Sequence, residues 1–152
     1  MRVKTLGISV VLLCCMILGI GCEPDLITDP ILPGETAVLT IAFSPSPVYE
    51  GYGSKYRFTV FVDEVNGVGA RIRSIKIEHI GSEGYVIETD KYDEYDVVRT
   101  FGTSRIEAYG RLMTNVELDD CSGCTRESWL IRADDDKGNY VEYSQSVELI
   151  SR

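Results

Sequence analysis

Short runs of alternating apolar and polar residues, broken by Gly, Pro, Asn and Asp at intervals of roughly 8 to 15 residues, predict an all-β domain over residues 36–152. Two further observations point the same way. No stretch of ten or more residues carries the three-to-four spacing of an amphipathic helix, and no internal repeat is present. The composition, 44% hydrophobic and 26% charged, is that of a chain able to bury a core.

The first expected strand is Thr36 to Phe43, where Leu39 and Ile41 share a face before Ser44-Pro45-Ser46-Pro47 ends the run. Lys55 to Val62 follows, with Tyr56, Phe58, Val60 and Val62 in phase. Asn66-Gly67 and Gly69 mark a turn into Arg71 to Ile80, where Ile75 and Ile77 alternate with Lys76 and Glu78. Ile72 is out of phase with that pair, which predicts a bulge near Arg73-Ser74. Tyr85 to Thr89 reads as a short strand, Asp90 to Asp96 as a charged loop and Val97 to Phe101 as another short strand. Arg105 to Leu112 places Ile106, Ala108 and Leu112 on one side. Ser128 to Ala133 presents Trp129 and Ile131 together, and Tyr140 to Ile150 closes the domain with Val141, Tyr143, Val147 and Leu149 in phase.

The stretch Ile131-Arg132-Ala133-Asp134-Asp135-Asp136-Lys137-Gly138-Asn139-Tyr140-Val141 resembles the last hairpin of bacterial Ig-like and fibronectin-like domains, in which an Asp-rich turn joins the final two strands. The resemblance implies an Ig-like antiparallel β-sandwich of about seven to eight strands.

Ahead of this domain, residues 1–21 have the layout of an export signal. Arg2 and Lys4 form a positive start, Leu6 to Leu18 an apolar stretch, and Gly19 and Gly21 a small-residue end. The uncharged run from Thr5 to Gly21 is 17 residues, shorter than the roughly 20 that span a bilayer, so a transmembrane helix is the weaker alternative. Leu18-Gly19-Ile20-Gly21-Cys22 resembles the lipobox of bacterial lipoproteins, with Gly19 where members of that family usually place Leu. The resemblance implies cleavage before Cys22 and acylation of its thiol, a tether through several acyl chains being needed because one holds only marginally. Glu23 after the cysteine implies, by the same resemblance, an outer-membrane address on the periplasmic or cell-surface side. Residues 22–35, with prolines and acids and no periodicity, read as an extended tether whose apolar residues could instead add an edge strand.

Charge excludes one class of partner. The leader holds two of the 15 Lys and Arg and none of the 24 Asp and Glu, so the remaining chain has a formal charge of −11 against −9 for the whole. Such a surface repels nucleic-acid phosphates and anionic headgroups. The membrane contact is therefore expected through the lipid, and no nucleic acid is expected as a partner.

Five cysteines are present, two of them (Cys14 and Cys15) in the leader. With Cys22 acylated, Cys121-Ser-Gly-Cys124 is the pair that remains, and a structural disulfide is the expected state in an exported protein. A redox pair would want a helix N-terminus rather than the flanking Asp119-Asp120. A zinc site would want two more ligands, and His79, the only histidine, stands in a different strand. No metal or other cofactor is expected. His79 itself reads as a surface residue without a catalytic partner. Asp134, Asp135, Asp136 and Asn139, and separately Asp90, Asp93, Glu94 and Asp96, offer oxygen donors for Ca²⁺ or form solvated turns. Tyr49, Tyr52 and Tyr56, with Tyr92 and Tyr95, could make a contact patch or pack half-buried. No G-x-S-x-G elbow or phosphate loop is present. The expected function is non-enzymatic: an envelope domain for protein or glycan contact or structural spacing, or alternatively a module that binds a small ligand or calcium.

Overall fold

The computed structural model describes residues 34–119 and 121–151. The leader, Cys22 and most of the expected tether lie outside the described residues. Among the described residues, nine strands and one helix follow in order: β1 (Leu39–Ser44), β2 (Val48–Gly51), β3 (Lys55–Glu64), β4 (Ala70–Gly81), β5 (Val86–Asp93), α1 (Glu94–Phe101), β6 (Arg105–Ile106), β7 (Arg111–Leu118), β8 (Cys124–Asp135) and β9 (Tyr140–Ile150).

Strand phase explains how they stack. In β3 the residues Tyr56, Phe58, Val60, Val62 and Glu64 are all buried, and the intervening ones face outward. In β8 the same alternation buries Glu127, Trp129, Ile131, Ala133 and Asp135. β7 lies along one edge of β3, with β1 and β2 along the other. β8 joins β9 to β4, and β4 carries β5 and β6 on its far edge. The result is a layer of β1, β2, β3 and β7 against a layer of β4, β5, β6, β8 and β9, with β2 pairing into both, which is an Ig-like sandwich. Phe43 of β1 stands edge-on to Phe58 of β3 at 6.0 Å and to Trp129 of β8 at 6.2 Å, so one ring bridges the layers. Fully buried side chains such as Val60, Ile72 and Ile131 each stabilise the fold by about 1.5–3 kcal/mol.

The structure departs from the expected architecture at four places. The sandwich is not wholly antiparallel, because Val48 and Tyr49 of β2 pair in parallel with Leu149 and Ile150 of β9 and so join the two layers. β2 and β6, four and two residues long, raise the strand count to nine. They are too short to show a period, and their burial comes from neighbours. The charged stretch Asp90 to Asp96 is not a loop, and Val97 to Phe101 is not a strand. β5 runs to Asp93, whose side chain accepts the Asp96 N–H at 3.0 Å and caps α1, and Gly102 closes the helix at φ 82°. Val97 is the buried contact of this helix. Finally, Arg105 to Leu112 is two strands, because Gly110 N–H turns back to the Glu107 carbonyl at 2.8 Å, leaving Ala108 exposed. The expected bulge is present: the β4–β8 register slips between Ile72 and Ser74.

Candidate functional site

The two ends of the sandwich use buried carboxylates in opposite ways. Where the described chain enters, Glu64 accepts four backbone N–H groups, from Val38 (3.2 Å), Asn66 (2.8 Å), Gly67 (2.8 Å) and Tyr109 (2.9 Å). Burial works against its charge, but these donors outweigh burial and hold its pKa down. Asp135 does the same with the N–H groups of Ala37 (3.1 Å), Lys137 (2.9 Å) and Asn139 (2.7 Å) and the Asn139 amide (3.0 Å). Burial raises its pKa, yet the Asn139 and backbone donors bring it down to about 2. The first described residue is held here too, since Gly34 N–H donates to the Asn66 carbonyl at 2.7 Å and Lys137 Nζ to the Gly34 carbonyl at 2.6 Å. Gly67 serves this end through shape: at φ 76°, an added Cβ would fall 2.6 Å from the Tyr109 ring.

At the other end of β4, about 36 Å away at the usual rise per strand residue, the polar groups are not satisfied. His79 continues the inward phase of Ile75 and Ile77, and Glu127 continues that of Trp129 and Ile131. The β4–β8 register sets the two directly opposite one another. Both are buried, at 3% and 2% exposure. Asp90 reaches from β5 and bonds His79 Nε2 at 3.2 Å. His79 Nδ1 stands 4.0 Å from Glu127 Oε1, too far for a hydrogen bond. Among the described residues, the buried His79 Nδ1, Glu127 Oε2 and Trp129 Nε1 have no hydrogen-bond partner. Burial pushes the Glu127 carboxyl up to about 6, opposed by His79 and by the Trp129 indole, with Asp90 adding to the rise. The indole N–H is thus near enough to bear on the Glu127 charge yet outside hydrogen-bonding geometry.

Cys121 and Cys124 close this end as a disulfide, with Cys124 buried and opposite Gly81. A ring nitrogen of His79 and both sulfurs lie within 4.8 Å of one another. His79, Glu127, Asp90 and Trp129 also line a cavity of about 260 Å³ between the layers, walled by Val116 and Leu118 of β7 and capped by Phe101 of α1. Such a cavity exceeds the roughly 150 Å³ that admits benzene in an engineered core, so it has room for a small ligand.

These positions correct several expectations. His79 is not a surface residue, and its distance in sequence from the cysteines does not separate it from them in space. Glu127 went unremarked in the sequence, though an acid in phase with Trp129 and Ile131 marks an inward-facing carboxylate. The clustered acids of the β8–β9 turn are engaged by protein donors: Asp136 takes two bonds from Arg105 (2.7 and 2.8 Å) and Asp134 one from Arg73 (2.7 Å). In the second acidic group Asp90 holds His79, Asp93 caps α1 and Glu94 receives Arg71, Arg73 and Ser104. The tyrosines divide. Tyr56 is core, Tyr92 is half-buried in the cavity wall, and Tyr49, Tyr52 and Tyr95 are exposed.

No family model and no curated protein matches the chain. Solved structures that resemble it include the putative ApaA protein of Bordetella pertussis, at 12% identity over 77% of this chain and 98% of that one, TM-score 0.46. The CARDB domain of Pyrococcus furiosus PF1109, solved with di-metal ions, is 11% identical over 82% of this chain and 97% of its own, TM-score 0.48. Murine CRIg is 16% identical over 76% and 98%, TM-score 0.43. The strand order of this chain, rather than these likenesses, establishes its Ig-like fold.

Proposed function

We propose that the protein is a non-enzymatic envelope lipoprotein, acylated at Cys22 after removal of residues 1–21, that presents an Ig-like domain for protein or glycan contact. The observation that carries this reading is the Cys121–Cys124 disulfide. Disulfides persist in oxidising compartments, and an export leader ending at Gly21-Cys22 delivers a chain to one. The layout of the domain agrees. Its described chain enters at the Glu64–Asp135 end, with the disulfide at the opposite end of the same strands. That far end bears the exposed Tyr52 and Tyr85 on its turns, and aromatic side chains of this kind anchor contacts with proteins and sugars.

Mass spectrometry of the mature N-terminus tests the anchor. The reading expects an acylated Cys22 as the first residue and a Cys22→Ser chain that leaves the membrane fraction. A retained Met1, or a Cys22→Ser chain that stays membrane-bound, would end it.

A further inference from the structure

The geometry points to a redox-gated metal site at the far end of the sandwich, in which Cys121, Cys124 and His79 bind Zn²⁺ when the cysteine pair is reduced. Four observations build it. The two sulfurs and a ring nitrogen of His79 already lie within 4.8 Å of one another, a spread that modest side-chain movement brings to the separations of a tetrahedral ion. The Asp90 carboxylate can only accept, so the His79 Nε2 bonded to it carries the proton. Neutral imidazole then leaves Nδ1 with a lone pair, and Nδ1 is the ring atom found buried without a partner. This carboxylate–histidine pairing is the usual way a protein orients an imidazole toward a metal.

The fourth coordination position has its own candidate. Glu127 Oε1 stands 4.0 Å from Nδ1, and Oε2 of the same carboxylate is buried without a partner. Thiolate and imidazole together favour zinc among the divalent ions, while the hard ions Ca²⁺ and Mg²⁺ prefer all-oxygen sites.

The chemistry balances as follows. A dithiol donor gives two electrons and two protons to the Cys121–Cys124 bond, which opens to two thiols while the donor closes to its own disulfide. Zn²⁺ then displaces the two thiol protons and binds both thiolates with neutral His79. Oxidation reverses the sequence and releases the ion. The disulfide described above is thus the metal-free state of the same two residues. The inference does not rest on lipidation: a soluble form of the chain would carry the site equally.

Titrating detergent-extracted protein with Zn²⁺ by calorimetry, before and after reduction with a non-chelating phosphine, tests it. One Zn²⁺ per reduced chain is expected, with at least 100-fold weaker binding to the disulfide form. Co²⁺ in place of Zn²⁺ should give the thiolate charge-transfer band and the intense visible bands of a tetrahedral site. Asp90, about half exposed, can be changed without threatening the core, and Asp90→Asn should weaken binding to the reduced chain by about 10- to 100-fold. Cys121→Ser should abolish the charge-transfer intensity of one sulfur and weaken binding by at least 100-fold. Equal Zn²⁺ affinity in both redox states, no binding after reduction, or Asp90→Asn and Cys121→Ser chains that bind as the parent does would each overturn the inference.

Discussion

Glu64 and Glu127 are both buried glutamates on inward strand phases, yet the same substitution should affect them in opposite ways. In Glu64→Gln one carboxylate oxygen becomes an NH₂ group. Each oxygen of Glu64 accepts two backbone N–H groups, Val38 and Asn66 on one, Gly67 and Tyr109 on the other. Either amide orientation therefore sets two buried donors against another donor. At roughly 1–3 kcal/mol for each unsatisfied buried group, the substitution should cost about 3–5 kcal/mol, a large share of the 5–15 kcal/mol typical of a domain. In Glu127→Gln no accepted hydrogen bond is lost, because Oε2 has no partner and Oε1 is 4.0 Å from His79. The change removes a carboxylate that burial disfavours, so stability should change by less than about 1 kcal/mol or rise. Urea denaturation followed by the fluorescence of Trp129, the single tryptophan and buried at 2% exposure, reads both in the oxidised protein. A Glu64→Gln midpoint equal to the parent's, or a Glu127→Gln loss as large as that of Glu64→Gln, would refute the contrast between a satisfied and an unsatisfied carboxylate.

The pH dependence follows from the entry end, where the folded pKa of Asp135 lies at about 2 and that of Glu64 is also lowered. Groups depressed on folding contribute stability above their unfolded pKa and lose it as pH falls through the folded value. The urea midpoint should therefore drop between about pH 4 and 2, and Asp135→Asn should flatten that acid limb. Removing the α1 cap with Asp93→Ala should cost about 1 kcal/mol, seen as a small midpoint shift with Val97 still buried by hydrogen exchange. Replacing both Cys121 and Cys124 with Ser should cost no more than about 2 kcal/mol, since the bridge closes so short a loop; a chain that fails to fold would show that the pair does more than staple this loop.

Alternation made the sheets legible. Tyr56 to Val62, Ile75 with Ile77, and Trp129 with Ile131 each show a clear period of two, and all are core. The bulge at Ile72–Ser74 was legible for the same reason, as a break in phase. α1 was not, because eight residues with one buried side chain carry no readable helical period. Its ends were marked all the same, by Asp93, by acids in the first turn and by Gly102. β2 owes its place to pairing with two partners at once, which no local pattern of four residues records. The site was hidden for a related reason. His79 meets Glu127 only through the β4–β8 register and meets Asp90 only because β5 continues beyond its apolar start. Register is a property of pairs of strands, so a histidine read on its own strand looks solitary.

Three acids in phase with core residues, Glu64, Glu127 and Asp135, all face inward, so phase alone cannot tell a structural carboxylate from a functional one. Their partners do. Glu64 is surrounded by N–H donors from three separate segments and Asp135 by donors from two, and the lowered pKa of each expresses a charge the fold is built to hold. Removing either charge should loosen the place where the chain enters. Glu127 has the opposite signature: deep burial, a pKa pushed up to about 6 and an oxygen without a donor. A fold selected for stability alone would gain by replacing such a group with an apolar one. Its survival beside an equally unpaired His79 nitrogen and two sulfurs is what separates this end of the sandwich from the entry end. The separation has a measurable consequence. Substitutions at the entry end should shift the urea midpoint and leave Zn²⁺ affinity alone, whereas Asp90→Asn should shift affinity and leave the midpoint within about 1 kcal/mol. A single variant that moved both by comparable amounts would mean that the two ends are one coupled unit.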